Sequence, residues 1–325
     1  MLTKVTGLPR AVGATALLAL AMCACSSPGA GGGEPEIGSV PTPGHLDAAQ
    51  ITTPLDAYLP TPEENYTLKK ARVLLVNACM RGLGYAQNPQ PLARFSGKPY
   101  LEHSEFLVVP IAQAEKYGYK PPPAPDREKG SGAESLYAKN VTDVQGDLLS
   151  GRVSTFNGKK VPAGGCEGEA LRTITAGAAT SEEVTLPDGS AAGAGKGGFG
   201  EGFAEMVVAS ARGKAMAEVR EDSRFLDASE RWSDCMKKQG YDYDSPSSAW
   251  NEKKWSDATR AGKREIAVAV ADMGCKKKVN YLGVGIALET AYEKQVIEES
   301  AEVLEDAKDK TARWIENANQ AIEAR

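Results

Sequence analysis

From residue 61 onward, apolar residues recur mostly at steps of three and four, the spacing that places them on one face of an α-helix. Thr61-Pro62-Glu63-Glu64 opens the first such stretch, with Thr as N-cap, Pro at the first helical position and acids in the first turn. Its stripe of Leu68, Val73, Val76 and Met80 predicts a helix to about Arg81. Residues 85–130 read as a Pro-rich loop interrupted by a short helix near Ile111–Tyr117, and Pro121-Pro122-Pro123 stiffens the exit from it. Further helices are predicted over 133–149 and from Gly165 to about Thr175, with a strand or a turn around Asn157-Gly158 between them. No proline falls between Glu201 and Gln239, where Val207, Ala211, Ala215, Val219, Phe225, Trp232 and Met236 predict one long helix. Residues 248–260 and 262–281 read as two more. Leu288–Arg325 carries a seam of Ile297, Leu304, Ala307, Trp314, Ala318 and Ala321. At ~1.5 Å per residue that helix is about 55 Å long and needs a long partner. The 201–239 helix is the obvious one, in an antiparallel, coiled-coil-like pair.

The first 60 residues break this pattern. Lys4 and Arg10 flank the start of Ala11–Met22, a run of small and apolar residues well short of the roughly 20 that cross a bilayer. This is the layout of an export signal. It ends in Met22-Cys23-Ala24-Cys25-Ser26-Ser27, which resembles a bacterial lipobox, in which a cysteine after small residues is diacylated and becomes the new N-terminus. Cys25, preceded by Ala24, fits better than Cys23, preceded by the bulky Met22. Acyl chains contribute ~0.8 kcal/mol per buried methylene, so two or three hold a protein firmly on a bilayer. Residues 26–60 are rich in Gly, Pro and Ser and read as a flexible spacer.

Charge narrows the partners. The 325 residues hold 38 Lys and Arg against 43 Asp and Glu, with two His. Removal of residues 1–24 takes away Lys4 and Arg10, so 36 basic residues face 43 acidic ones. An acidic chain lacks the basic face that nucleic acid demands. Linear basic clusters that would bind a membrane are absent as well, which leaves the N-terminal lipid as the link to it. The scarcity of His disfavours a metal site or a His relay, and no cofactor is predicted.

Beyond the lipobox pair stand Cys79, Cys166, Cys235 and Cys275, an even set that in an exported protein reads as a disulfide framework. No Cys-x-x-Cys spacing suggests zinc. Three pairings are possible. An internal similarity separates them: Cys79-Met80-Arg81-Gly82-Leu83-Gly84-Tyr85 aligns with Cys235-Met236-Lys237-Lys238-Gln239-Gly240-Tyr241. Both read Cys-Met-x-x-x-Gly-Tyr at the end of a helix, with Gly as the left-handed cap. Each is followed by one more cysteine on a predicted helix. The expected bonds are therefore Cys79–Cys166 and Cys235–Cys275, two versions of one helix–loop–helix unit.

The lipobox, the Gly/Pro spacer and the two Cys-Met segments resemble uncharacterised secreted lipoproteins of high-GC Gram-positive bacteria. Ala114-Glu115-Lys116-Tyr117-Gly118-Tyr119 and the stretch from Val161 to Ala170 share that character. The resemblance implies an envelope lipoprotein and no particular activity.

The expected architecture is a mainly α-helical, disulfide-bonded ectodomain with long C-terminal helices. In order come a signal peptide (1–24), a tether (25–60), a first helical unit (61–176), a Gly/Ala-rich linker (177–202) and a second helical unit (203–325). Catalytic candidates are few. Gly193-Ala194-Gly195-Lys196-Gly197-Gly198 matches a dinucleotide pattern, yet Leu186–Ala192 before it does not read as a strand, and Gly197 follows Lys196 where a P-loop needs Ser or Thr. A loop is the simpler reading. Glu102-His103-Ser104-Glu105, an acid–His–acid cluster, could form a small metal or acid–base site, but reads as solvated surface. Tyr117, Tyr119, Tyr241, Tyr243, Trp250 and Trp255 could stack on a glycan, although their capping and helical positions favour core packing. The function expected is binding or scaffolding on the outer face of the cytoplasmic membrane, with an envelope protein or glycan as partner. The alternatives are a hydrolase acting through paired carboxylates and a solute-binding lipoprotein.

Overall fold

The computed structural model describes residues 33–42, 51–86, 106–121, 142–194, 198–256 and 258–324. Cys23, Cys25, Glu102, His103 and Glu105 lie outside them, as do residues 133–141 of one predicted helix. Residues Pro35–Arg325 form one compact, mainly helical unit.

Helix α1 runs Pro62–Gly82 and starts as its sequence dictates. The Thr61 hydroxyl accepts from the Glu64 N–H and the Glu64 carboxylate accepts from the Thr61 N–H. Short helices follow at Ile111–Tyr117 (α2) and Asp143–Ser150 (α3), the latter capped by Thr142. A two-residue hairpin, Thr155–Phe156 (β1) with Lys159–Lys160 (β2), turns at Asn157-Gly158, both at positive φ. Helix α4 is Gly165–Ile174. The Gly/Ala-rich stretch after it carries a second hairpin, Glu183–Thr185 (β3) with Ala191–Gly193 (β4). So Ala191 and Ala192, which lack a strand's alternation, are paired all the same, through backbone bonds alone.

The long-helix readings need correction. The 201–239 helix is two helices, Phe203–Glu221 (α5) and Ser223–Lys238 (α6), parted at Asp222. Asp222 adopts an extended conformation (φ −66°, ψ 130°), and its carboxylate accepts from the Arg224 N–H at 2.9 Å. An Asp side chain competes with the backbone in this way without any Gly or Pro to announce the break. Residues 248–260 divide into Pro246–Trp250 (α7) and Lys253–Ser256 (α8), and α9 spans Lys263–Lys278. The helix predicted over 288–325 is Tyr281–Glu299 (α10) and Ala301–Glu323 (α11), separated at Ser300. The coiled-coil-like pair is replaced by a bundle. Helix α10 packs on α5 and α6, while α11 lies across α1, α4 and α5. The seam itself is correctly placed, since Leu304, Ala307, Trp314 and Ala318 are all buried.

Two apolar clusters result. The larger joins α5, α6, α9, α10 and α11 around Trp232, Trp314, Phe203 and Phe106. The smaller gathers Val76, Met80, Leu83, Leu148, Leu149, Val161, Cys166 and Ala170 where α1, α3 and α4 meet.

Part of the expected free spacer is docked on this body. Leu55, in a 3-10 turn at Pro54–Tyr58, is fully buried. Further back, the Pro35 carbonyl accepts from Arg224 at 2.9 Å and the Pro41 carbonyl from Asn280 at 2.9 Å. A Cβ on Gly283 would sit 2.0 Å from the Pro41 oxygen, so a glycine in α10 makes that approach possible. Gly/Pro content argues for disorder, but it does not count the few apolar side chains and carbonyls that find partners.

Candidate functional site

Cys79 is bonded to Cys166 and Cys235 to Cys275, each with Cα atoms 5.6 Å apart, an unstrained separation. Both Cys-Met segments end their helices identically. The Tyr85 N–H reaches the Met80 carbonyl at 2.9 Å and the Tyr241 N–H that of Met236 at 3.0 Å, while Gly84 and Gly240 stand at φ +81° and +83°. This is the Schellman arrangement.

The unusual chemistry lies in two buried charge centres. The first is built on Arg212 of α5. Its guanidinium meets the Asp56 carboxylate at 2.8 Å, Glu293 at 3.1 Å and Glu289 at 3.7 Å, and donates to the Thr53 hydroxyl at 3.3 Å. Glu289 and Glu293 are one turn apart on α10 and both are fully buried. Glu293 also accepts from the Leu55 N–H at 2.9 Å. Burial pushes the Glu293 carboxyl up, and the charge of Glu289 adds to it; the Leu55 N–H, Arg212 and Thr53 pull the other way. On Arg212 burial opposes the charge, yet the carboxylates around it win and hold it protonated.

The second centre is Asp272 and Lys276 on α9, both fully buried and 3.2 Å apart. The carboxylate also accepts from the Trp232 indole at 2.9 Å and the Tyr119 hydroxyl at 3.0 Å. The Lys276 ammonium donates to the Leu107 carbonyl and faces the rings of Trp250 and Tyr281 at 5.8 and 5.9 Å. Burial pushes Asp272 up and Lys276 down, and their attraction opposes both shifts. Burial, with Asp272 beside it, also raises the Tyr119 phenol.

This second centre decides the aromatic question. Tyr119 and Trp255 are buried, and Tyr119 packs on Trp250 with centroids 4.8 Å apart. Tyr243 donates to Glu252, and burial together with that bond moves its phenol up to about 12. Tyr119, Trp250 and Trp255 thus form an internal stack beside the charge pair, while Tyr117, Tyr241 and Tyr243 are half-buried. Of the glycine pattern, Gly193 closes β4 and α5 begins only at Phe203, beyond Gly198, while Gly195, Lys196 and Gly197 lie outside the described residues.

Both centres do the same thing: they tie a segment outside the long helices onto them, at 53–56 and at Leu107 and Tyr119 on either side of α2. Arg212, Glu289 and Glu293 hold 53–56, while Asp272, Lys276 and Glu265 hold 107–119. A third contact repeats the pattern, with Asp222 bonded to Arg224 and to the Tyr292 hydroxyl while Arg224 holds Pro35. These side chains escape sequence reasoning because several stand beside other charges, Lys276 before Lys277 and Lys278 and Glu293 before Lys294, so the neighbouring sequence does not single out the buried one. The available signal was a charge on the buried face, as at Asp272-Met273 or Glu289 and Glu293 one helical turn apart.

Among the described residues no helix is long and apolar enough to cross a membrane. Compared with protein-family models, curated proteins and solved structures, the chain finds no match.

Proposed function

We propose that this protein is an envelope lipoprotein, acylated at Cys25 and held on the outer face of the cytoplasmic membrane, where its helical body serves binding or scaffolding. The observation that carries the reading is the use of charge. Arg212, Glu293, Asp272 and Lys276 are all spent on fastening loops to helices, which makes a stiff body and leaves recognition to its outer helix faces. Two long-range disulfides support an oxidising location. On α11 the outer face is charged, with Lys310 paired to Asp306 at 2.5 Å and Arg313 to Glu316 at 2.7 Å. Such a face suits a polar envelope partner.

Two experiments test this. Cys25→Ser should move the protein from the membrane to the soluble fraction; if only Cys23→Ser does so, the acylated residue is Cys23, and if neither does, the anchor fails. A photoreactive side chain at Glu302 or Asp309 on α11 should give one discrete adduct in intact cells. Release of sugar from envelope glycan by the purified protein would replace the binding reading by the hydrolase.

A further inference from the structure

The stretch 35–42 lies on the body as an extended strap. Pro35 and Ile37 are half-buried with Glu36 exposed between them, and Ile37 packs on the main core. Both ends of the strap are held. The Pro35 carbonyl accepts from Arg224, which is itself fixed by Asp222 and, through it, the Tyr292 hydroxyl. The Pro41 carbonyl accepts from Asn280, at the one place where Gly283 leaves room for it.

The position of the strap on the body is lopsided. Asp222 and Arg224 stand just past the C-terminal end of α5, whereas Trp314 of α11 packs on Phe203 at its N-terminal end, with ring centroids 6.3 Å apart. At ~1.5 Å per residue, α5 separates the two by about 28 Å. Of the three large apolar side chains left exposed among the described residues, two belong to the strap side, Val40 on the strap and Leu226 on α6.

Docking also shortens the tether. Ten residues carry the chain from Cys25 to Pro35, and at no more than ~3.6 Å each they reach about 35 Å. A compact unit the size of Pro35–Arg325 is about 50 Å across. The strap side therefore cannot stand at the far side of the body from a bilayer that holds Cys25. Were the turn at Pro54 the first point of attachment, the tether would reach about 100 Å and the body could roll freely.

We propose, on the premise that Cys25 is acylated, that the 35–42 strap orients the body, turning itself and α6 toward the lipid surface and the C-terminal half of α11 toward the envelope.

Energy transfer to the membrane tests this on the full acylated chain, floated with phosphatidylglycerol–phosphatidylcholine vesicles that carry an acceptor dye on their headgroups. A fluorescent donor side chain replaces either Asp227, which borders the depression beside Ile37 and Val40, or Glu316 on α11, and these side chains are 61% and 60% exposed. Transfer from position 227 should exceed that from 316 roughly twofold or more, given the ~28 Å between the ends of α5. Gly283→Ala places a Cβ 2.0 Å from the seated Pro41 oxygen, so it should release the strap and bring the two efficiencies together. Ile37→Asp should do the same while leaving every helix unaltered. Equal transfer from the two positions with the strap intact overturns the proposal, and so does a contrast that survives in both variants. A chain that fails to float overturns acylation at Cys25, whereas one that floats with equal transfer overturns the orientation alone.

Discussion

The two Cys-Met-x-x-x-Gly-Tyr segments share a helix end and differ in everything beyond it. In the first, Cys79 near the end of α1 is joined to Cys166 in the first turn of α4, beside a small cluster of eight buried apolar residues. Its closest aromatic contact is Tyr85 against Phe156 of the hairpin, edge on at 6.3 Å. In the second, Cys235 near the end of α6 is joined to Cys275 near the end of α9, inside the main core. One turn before Cys275 lies Asp272, tied to Lys276, Trp232 and Tyr119. The units are thus not two copies of one helix–loop–helix, because one bond joins a helix end to a helix start and the other joins two helix ends. A cap motif determines how its own helix stops. Which helix it is stapled to, and what surrounds the staple, follows from packing.

A large effect, on the scale of losing a disulfide, should come from the buried pair that only the second unit has. Asp272→Ala leaves Lys276 buried without its partner and strands the Trp232 indole and Tyr119 hydroxyl, so a loss of about 3–5 kcal/mol is expected in urea denaturation. A loss below 1 kcal/mol would mean the pair is solvated and the contrast between the units is false.

Next come the disulfides. Cys79 and Cys166 are 87 residues apart in sequence and Cys235 and Cys275 are 40 apart. In the loop-entropy account these give about 4–5 and about 4 kcal/mol respectively. Similar totals should act differently. Serine at 79 and 166 should raise hydrogen exchange locally in α3 and α4, since the small cluster has little else to hold it. Serine at 235 and 275 should lower global stability while the main core keeps its order of protection. Equal, uniform loss of protection in both variants would erase the distinction.

The smallest and sharpest comparison is between the caps. Gly84→Ala and Gly240→Ala each force a Cβ into the left-handed region, a cost of roughly 1–2 kcal/mol. At Gly240 the added carbon meets nothing within 4 Å, whereas at Gly84 it lies 3.0 Å from the Asn157 amide nitrogen, which donates to the Leu83 carbonyl. Gly84→Ala should therefore be the more destabilising of the two in thermal melts. A reversed order would show that Asn157 yields freely.

Helical class, the caps of α1, the buried seam of α11 and the Cys-Met helix ends were all legible in the sequence. They rest on local rules, in which spacing, a Thr N-cap or a Gly after a helix specifies the nearest few residues. The ends of long helices were less legible. Asp222 and Ser300 interrupt apolar patterns that continue on either side, and only a side chain bonding back to its own backbone marks the first break. The docked turn at 54–58 was not legible, and the charge centres showed only as charges on the apolar face of a helix. Leu55, Arg212 and Glu293 come from three separate stretches, and nothing near any of them in the chain tells that a carboxylate will be buried or that an N–H will meet it. The sequence by itself determined where helices start and which stripe of each turns inward, because those depend on neighbours within a turn or two. Tertiary structure decided which charges lost their water, because desolvation depends on everything packed around a group and on partners more than 150 residues away, as from Arg212 to Asp56.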